Sequence, residues 1–339
     1  MHSENFLSDW LARARALERA MSDAVVGQDS TIRLLTIALF ARGHVLLEGD
    51  VGVGKTTLLR ALARAIGGAY ARMEGTIDLM PNDLVYYTYL DGDGKPKVDP
   101  GPLLRNGEAL ATFFFNEINR ARPQVHALLL RVMAERSLQA FNRDYRFPHL
   151  QVYADRNRLE KEETFELPSA ARDRFMFELS VRTPDDPAIQ LDLMLNPRYH
   201  DTDVLIDSVP EAILPYRELN AIGAHLQQTI HTSATLQRYL LNLAQATRRP
   251  QDFGIRMSDI DVSRLVLAGI SPRGTSLLLR AARVAAWLDE RQHVTPEDVR
   301  HVFQVTVGHR VFLDPIHELR RDGLIPQLMR AILDHVATP

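Results

Sequence analysis

Residues 44–66, HVLLEGDVGVGKTTLLRALARAI, contain the clearest structural signal in the chain. An apolar run ends at a glycine-rich turn, residues 49–56, whose spacing matches G-x-x-x-x-G-K-[S/T], and a helical pattern follows at once. Glycines let the backbone amides of such a turn point at phosphate oxygens, and the helix N-terminus also favours an anion. The pattern predicts a strand, a phosphate-binding turn and a helix, although a turn without any ligand has the same composition.

The residues of this turn have distinct predicted roles. Lys55 supplies a positive charge to the terminal phosphates of a nucleotide, and the Thr56 hydroxyl can coordinate magnesium. The expected cofactors are therefore ATP and Mg²⁺. The predicted nucleotide-binding set is Gly49, Asp50, Val51, Gly52, Val53, Gly54, Lys55, Thr56 and Thr57.

Short apolar runs alternate with helical patterns through the first two hundred residues. This alternation is typical of an α/β fold in which helices cover a parallel sheet. Two segments, 86–99 and 137–148, have turn residues between short strand patterns and are predicted to be inserted hairpins. The predicted strands of the sheet are residues 44–49, 69–75, 109–117, 149–156 and 174–181.

The strand pattern stops near residue 207, and helical periodicity takes over. Proline and a change of period coincide near residues 208–215, which favours a boundary there. We therefore predict a nucleotide-binding core with an N-terminal helix over residues 1–207, followed by a small all-helical domain over residues 208–339.

The composition excludes several classes of function. The chain has 339 residues, a net charge of -3 and no cysteine, so disulfides, thiolate catalysis and cysteine metal sites are excluded. The charge gives no bulk attraction to nucleic acid or to an anionic membrane. No apolar run approaches the roughly 20 residues that a membrane-spanning helix requires, so we expect no membrane insertion. The absence of cysteine is compatible with a reducing compartment, and we expect a cytoplasmic protein.

The segment FFFNEINR, residues 113–120, ends a predicted buried strand in polar residues. Because this strand can end near the phosphate turn, Glu117 is the candidate that orients or deprotonates the attacking water. The alternative is that Glu117 caps the next helix or pairs with Arg120. Asn116 occupies the position where most phosphate-loop ATPases carry a magnesium-binding aspartate, and its amide keeps an acceptor oxygen without the charge.

Several segments in order resemble the AAA+ ATPases and, within them, the MoxR family, in particular the MoxR proteins associated with methanol dehydrogenase systems. The resemblance spans nearly the whole chain. It rests on residues 25–28 (VVGQ), 41–57 (ARGHVLLEGDVGVGKTT), 78–84 (DLMPNDL), 100–104 (PGPLL), 116–136 (NEINRARPQVHALLLRVMAER), 154–157 (ADRN), 167–175 (LPSAARDRF) and 269–282 (GISPRGTSLLLRAA).

The resemblance implies roles for four further residues. Asn157 would be the first sensor, contacting the attacking water or the terminal phosphate. Arg174 would be the arginine finger offered to a neighbouring subunit, with Arg172 as the alternative, and Arg273 would be the second sensor in a lid. Each also has a structural interpretation: Asn157 as a strand terminus, Arg174 in a surface ion pair, and Arg273 as a link between domains.

The same resemblance implies a remodelling chaperone that hydrolyses ATP as a homo-oligomer, expected to be a hexameric ring. The resemblance also implies that the chaperone acts on a client such as methanol dehydrogenase and works with a partner protein that contains a von Willebrand factor A domain. Because of Asn116, hydrolysis is expected to be slow or to demand more magnesium, and Asn116→Asp is expected to lower the magnesium requirement or raise the rate. Two alternatives stay open: a nucleic-acid motor or loader, and a nucleotide-gated binding protein with little turnover.

Overall fold

A computed structural model of the chain describes residues 2–157, 164–258 and 260–339. The chain divides into two compact units. The first unit comprises residues 1–174 and 179–220, and the second comprises residues 175–178 and 221–339. No helix in the described ranges combines the length and the apolar character needed to cross a membrane.

The strands and helices alternate through the first part of the chain, as the sequence predicts. The strands are β1 (His44–Glu48), β2 (Ala69–Glu74), β3 (Tyr86–Leu90), β4 (Pro96–Pro100), β5 (Leu110–Asn116), β6 (Ser137–Ala140), β7 (Arg143–Arg146), β8 (Gln151–Arg156), β9 (Phe175–Ser180), β10 (Val266–Ala268) and β11 (Phe312–Leu313). The helices are α1 (His2–Ala24), α2 (Asp29–Phe40), α3 (Lys55–Ile66), α4 (Pro81–Val85), α5 (Pro123–Glu135), α6 (Ser169–Arg172), α7 (Pro187–Leu195), α8 (Thr202–Asp207), α9 (Leu219–Thr229), α10 (Ala234–Arg248), α11 (Pro272–Leu288), α12 (Pro296–Val307), α13 (Pro315–Glu318) and α14 (Arg321–His335).

A five-stranded sheet with the order β2-β5-β8-β1-β9 forms the centre of the α/β fold. Strand β8 pairs in parallel with both β1 and β5, and β5 pairs in parallel with β2. Strands β1 and β5 are buried along their whole length, which explains why they read as continuous apolar runs. The parallel sheet predicted from the alternation is confirmed.

Two hairpins interrupt the alternation of strands and helices. Strands β3 and β4 pair antiparallel, and so do β6 and β7. The ring of Tyr86 at the start of β3 packs on Phe141 in the second hairpin, with 5.1 Å between the ring centroids. Both predicted insertions are therefore confirmed, and they contact each other through an aromatic pair.

The first unit extends beyond residue 207, where the sequence analysis places the domain boundary. The amide of Ala212 donates to the carbonyl of Arg64, and the amide of Leu214 donates to the carbonyl of Ala65, both at 3.0 Å. The Ala212 amide is a second donor to the Arg64 carbonyl, which also accepts from the Gly67 amide at 3.2 Å, and the Leu214 amide gives the Ala65 carbonyl a partner near the end of α3. The segment near residues 208–215, where a domain boundary is predicted, thus packs on the end of the phosphate-turn helix, and the first unit continues to Asn220.

Among the described residues from 221 to 339, the second unit is helical apart from a short antiparallel pair, β10 and β11. Residues 175–178, which form most of β9, also belong to this unit. Helix α12 begins with a capping box, because the Asp298 carboxylate accepts from the Thr295 amide at 2.8 Å while the Thr295 side chain faces the Asp298 amide. The Arg291 guanidinium also donates twice to Asp298, at 2.7 Å each. The turn before α12 is therefore tightly defined by charged hydrogen bonds.

Arg310 is the largest fully buried side chain of this unit. Its guanidinium donates to the carbonyls of Phe175, Met176 and Thr306. Buried guanidinium groups are costly unless such acceptors surround them. Helix α11 passes close to this side chain at Gly274, where an added Cβ would lie 2.6 Å from Cδ of Arg310.

We predict that Gly274→Ala lowers the stability of the chain, although alanine is normally preferred to glycine in a helix. The new methyl group must displace Arg310 from its carbonyl acceptors, at a cost of about 1–3 kcal/mol. The loss of stability is measured as a decrease in the thermal unfolding temperature. The matched control is Gly323→Ala in α14, where an added Cβ meets no atom within 4 Å, so the control is expected to be stabilising by about 0.4–1 kcal/mol. Equal unfolding temperatures for the two variants would contradict the prediction.

Candidate active site

The turn between β1 and α3 has the backbone that phosphate binding requires. Gly52 and Gly54 adopt φ values of 82° and 89°, in the left-handed region where glycine has no steric cost. Helix α3 starts at Lys55 directly after this turn, so its first amides have no partners within the helix. An added Cβ on Gly52 would meet nothing within 4 Å, which leaves space beside the turn.

Gly49 is a glycine for a different reason. An added Cβ would lie 2.3 Å from the carbonyl oxygen of Val181, so no other residue fits without moving the backbone. The amide of Val181 in turn donates to the carbonyl of Glu48 at 2.7 Å. Gly49 thus allows the close packing of the turn on the end of the sheet.

The Lys55 ammonium lies over the carboxyl end of the sheet. It donates to the carbonyl of Gly49 at 2.6 Å and to that of Asp50 at 3.1 Å. Its third neighbour is the Asp155 carboxylate, with Nζ 3.6 Å from Oδ2. The ammonium is held at the mouth of the turn, where the terminal phosphates of a nucleotide would need a cation.

A cavity of about 350 Å³ opens beside the turn. Its lining joins the phosphate-turn residues to polar residues at the ends of β5 and β8, strands that are distant from the turn in sequence but adjacent in the sheet. Ligand sites of open parallel sheets lie at this edge. The lining residues are 50–57, Asn116, Glu117, Asp155, Asn157 and Thr202.

Glu117 occupies the tight turn immediately after β5. Its φ of 52° is left-handed, an uncommon conformation for a residue with a side chain. The backbone is held by a 2.6 Å hydrogen bond from the Glu117 amide to Oδ1 of Asp155. The side chain lies 2.9 Å from Arg120, so the ion pair considered as an alternative role is present.

Gly75 provides the space for this turn. Its amide donates to the carbonyl of Asn116 at 2.8 Å, and an added Cβ would lie 2.1 Å from the carbonyl oxygen of Glu117. Gly75 is not among the residues predicted from the sequence. A glycine as the last residue of a predicted parallel strand was the available signal, because it marks a close backbone approach.

Asn116 is buried, and its amide is already engaged. Asn116 pairs with Glu74 across the sheet, and its Nδ2 donates to Oε1 of that glutamate. The other Glu74 oxygen accepts from Arg72 at 2.8 Å. The side chain that replaces the usual aspartate is therefore linked to a carboxylate on the edge strand.

Asp155 is the functional candidate that sequence reasoning missed. It is 2% exposed and belongs to β8, two residues before Asn157. Burial raises the pKa of the Asp155 carboxyl above its ordinary value, while the Glu117 N–H and the Lys55 ammonium act in the opposite direction. An acid near the end of a central strand, in the ADRN segment, was the signal in the sequence.

Comparisons with known proteins agree with this geometry. The model of the ATPase family associated with various cellular activities (AAA) matches residues 44–177, and the AAA lid domain model matches residues 259–328. "Protein MoxR" of Methylorubrum extorquens is 57% identical over 98% of this chain and 97% of its own length, and "Protein MoxR" of Paracoccus denitrificans is 55% identical over 98% of both. "Chaperone MoxR1" of Mycobacterium tuberculosis is 31% identical over 97% of this chain and 84% of its own. A crystal structure from Cytophaga hutchinsonii superposes with a TM-score of 0.85 at 26% identity, covering 100% of this chain and 98% of that one.

The chain belongs to the MoxR family of AAA ATPases. The resemblance described from the sequence is thereby confirmed, and so is the AAA fold with a helical lid. The lid match lies within the second unit.

The remaining residues that the MoxR resemblance singles out lie in different places. Asn157 lines the cavity at the end of β8. Arg174 and Arg172 are not among the cavity-lining residues of the described chain; Arg174 donates to the carbonyl of Ala170 at 2.7 Å, and Arg172 donates to that of Leu167 at 3.3 Å. Arg273 is exposed in the first turn of α11, in the second unit.

The site fits ATP with magnesium, as expected for an AAA ATPase. The open glycine turn and Lys55 suit phosphates, and the side chains of Thr56, Asn116, Glu117 and Asp155 bring to the cavity oxygen atoms of the kind that Mg²⁺ prefers. Within the described ranges, no group of three or more His, Asp or Glu side chains is arranged to hold a metal by itself. A magnesium ion here would therefore share its coordination between protein and phosphate.

We predict that Gly75→Ala impairs ATP turnover far more than ATP binding. The new methyl group must push the Glu117 turn away, and a displacement of about 1 Å at a catalytic group costs about a hundredfold in rate. The phosphate turn is untouched, so the affinity for a fluorescent ATP analogue is expected to stay near that of the wild type.

The matched control is Gly92→Ala in the first hairpin, where an added Cβ meets nothing within 4 Å. Turnover and nucleotide affinity are both expected to be unchanged in this control. Normal turnover in the Gly75→Ala variant would show that the position of the Glu117 backbone does not matter for hydrolysis.

Proposed function

We propose that this chain hydrolyses ATP and uses the energy to remodel a client protein. The observation that carries the proposal is the convergence of three groups on one cavity: the phosphate turn with Lys55, the strand-end carboxylate Glu117 and the strand-end amide Asn157. Positioning and electrostatic stabilisation are what phosphoryl transfer requires of a protein. The family membership supports the same reading.

Each group has a defined task in this proposal. The turn amides and Lys55 bind the phosphates, Glu117 orients and deprotonates the attacking water, and Asn157 holds that water or the terminal phosphate. Magnesium, when bound, would neutralise phosphate charge. The Glu117–Arg120 pair is partly exposed, with side-chain exposures of 22% and 39%, so its strength is small and Glu117 can turn towards the water.

We infer that hydrolysis is completed by a second copy of the chain. Arg174 is absent from the described lining of its own cavity, which is consistent with a finger that serves a neighbouring subunit. An arginine in that role is typically worth a factor of about 10³–10⁵ in rate. We propose a homo-oligomeric ring, expected to be a hexamer, with Arg273 of the lid as a further phosphate contact.

We propose that the client is an enzyme undergoing maturation, such as methanol dehydrogenase, and that a protein with a von Willebrand factor A domain takes part. The name of the Mycobacterium tuberculosis relative, a chaperone, supports the remodelling role. We place the reaction in the cytoplasm. A nucleic-acid motor is less well supported, because Lys97 of the first hairpin is paired with Asp91 at 3.3 Å and is not a free cation for a phosphate backbone.

We predict that two inactive variants, Glu117→Gln and Arg174→Ala, recover ATP turnover when they are mixed. In a shared site, the Arg174→Ala protomer supplies Glu117 and the Glu117→Gln protomer supplies Arg174. Random assembly of equal amounts makes roughly one quarter of head-to-tail interfaces fully competent. ATP turnover is measured after mixing, with assembly followed by analytical ultracentrifugation.

The matched control for the arginine is Arg131→Ala, which removes an exposed i,i+4 pair with Glu135 and is expected to leave turnover unchanged. If both variants assemble normally and the mixture stays inactive, the shared site is wrong. Full activity of the Arg174→Ala variant alone would also contradict it.

A further inference from the structure

A row of polar side chains crosses the carboxyl edge of the sheet. Glu74 of β2 pairs with Asn116 of β5, and Phe115 of β5 pairs with Ala154 of β8, one residue before Asn116 and Asp155. In parallel strands, residues at the same level present their side chains to the same face. Asp155 is therefore the neighbour of Asn116 on the adjacent strand, on the side nearer the phosphate turn.

Strand β1, which pairs with β8 on the side opposite β5, places Asp155 next to the phosphate turn. Asp155 pairs with Leu47 of β1, and β1 leads directly into the phosphate turn. Asn116 is one strand further away, with its amide donated to Glu74. Of the two positions, Asp155 is the one that carries a charge and directly neighbours Lys55.

The Asp155 carboxylate is only partly compensated by the protein. Oδ1 accepts a 2.6 Å hydrogen bond from the Glu117 amide, but Oδ2 lies 3.6 Å from the Lys55 ammonium, longer than the roughly 2.7–2.9 Å of a strong charge-assisted hydrogen bond. Burial of a carboxylate costs free energy unless nearby cations offset it. Burial also outweighs these partners in setting the raised pKa of Asp155.

We propose that Asp155 supplies the negative charge that holds the magnesium ion of bound ATP, in place of the aspartate that Asn116 replaces. This inference rests on the proposed ATPase function. Lys55 would then turn from Asp155 to the phosphates, and the metal would become the cation that compensates the buried carboxylate. Compared with a carboxylate at position 116, the carboxylate of Asp155 lies one strand further along the row, and both positions line the same cavity.

The proposal changes the expectation for Asn116→Asp. A carboxylate at this position would face Glu74, with which the Asn116 amide is now hydrogen-bonded, and two like charges at that distance repel. The single substitution is therefore not expected to lower the magnesium requirement. Combination with Glu74→Gln removes the repulsion and restores a hydrogen-bond donor.

The test measures the affinity for a fluorescent ATP analogue as a function of Mg²⁺ concentration, without relying on turnover. For Asp155→Asn, we expect the Mg²⁺ concentration at half-maximal effect to rise by at least about tenfold, with undiminished binding of the metal-free nucleotide. Asparagine keeps an acceptor for the Glu117 amide, so a purely structural role for Asp155 predicts an unchanged magnesium dependence.

A charge-relocation variant sharpens the test. The triple variant Glu74→Gln, Asn116→Asp, Asp155→Asn is expected to return the magnesium dependence to within about threefold of the wild type, because one carboxylate again lies in the row. Failure of this recovery would overturn the proposal that charge is what Asp155 contributes. The exposed hairpin residue Asp144, changed to asparagine, serves as the matched control and is expected to behave as the wild type.

The outcomes separate this inference from the proposed function. If the wild-type chain binds no ATP, the proposed function itself fails. If the wild type binds ATP with magnesium dependence and Asp155→Asn shows the same dependence, only the inference about Asp155 fails. Circular dichroism confirms folding; should the asparagine variant not fold, Asp155→Ser, which also keeps an acceptor, is measured against the same expectation.

Discussion

The ion pair between the Lys55 ammonium and the buried Asp155 carboxylate connects the two parts of the candidate site. Lys55 begins the helix after the phosphate turn, whereas Asp155 lies near the end of a strand about a hundred residues later. They meet because β8 lies directly beside β1 in the sheet. Because Asp155 is buried, the Lys55 ammonium offsets part of the cost of burying its carboxylate, and in the proposed site the pair provides a cation for phosphate and an anion for metal.

The same carboxylate also links Lys55 at the glycine turn to Glu117, the residue proposed to activate water. Its second oxygen holds the Glu117 amide, and this bond supports the left-handed turn that presents the glutamate. Gly75 leaves the space that the turn needs. The Asp155 side chain thus contacts both the Lys55 ammonium and the backbone of Glu117.

The parts of this site that the sequence predicts are those encoded locally. Gly52, Gly54 and Lys55 belong to one short motif whose glycines favour a left-handed turn. Glu117 directly follows a continuous apolar run that predicts a buried strand. Asp155 depends instead on strand order and register, because only the pairing of β8 with both β1 and β5 brings it to the row. The acid at the end of a predicted strand is visible in the sequence, but strand order and register arise from packing over long sequence separations, so its neighbours Lys55 and Asn116 are not.

The end of the first unit is a second feature that depends on contacts between residues distant in the sequence. The sequence predicts a domain boundary near residues 208–215, since proline and a change of period coincide there. In the structure, backbone amides of this segment donate to carbonyls near the end of α3, at Arg64 and Ala65. Such bonds depend on backbone groups that every residue carries, so composition does not reveal them.

The most direct measurement is a crystal structure of the Glu117→Gln variant with ATP and Mg²⁺. We expect an Asp155 oxygen either to bind the metal directly at about 2.1 Å or to accept a hydrogen bond from a metal-bound water, and we expect the Lys55 ammonium to have moved to the phosphates. A metal that approaches the protein through Asn116, while Asp155 remains paired with Lys55, would contradict this expectation.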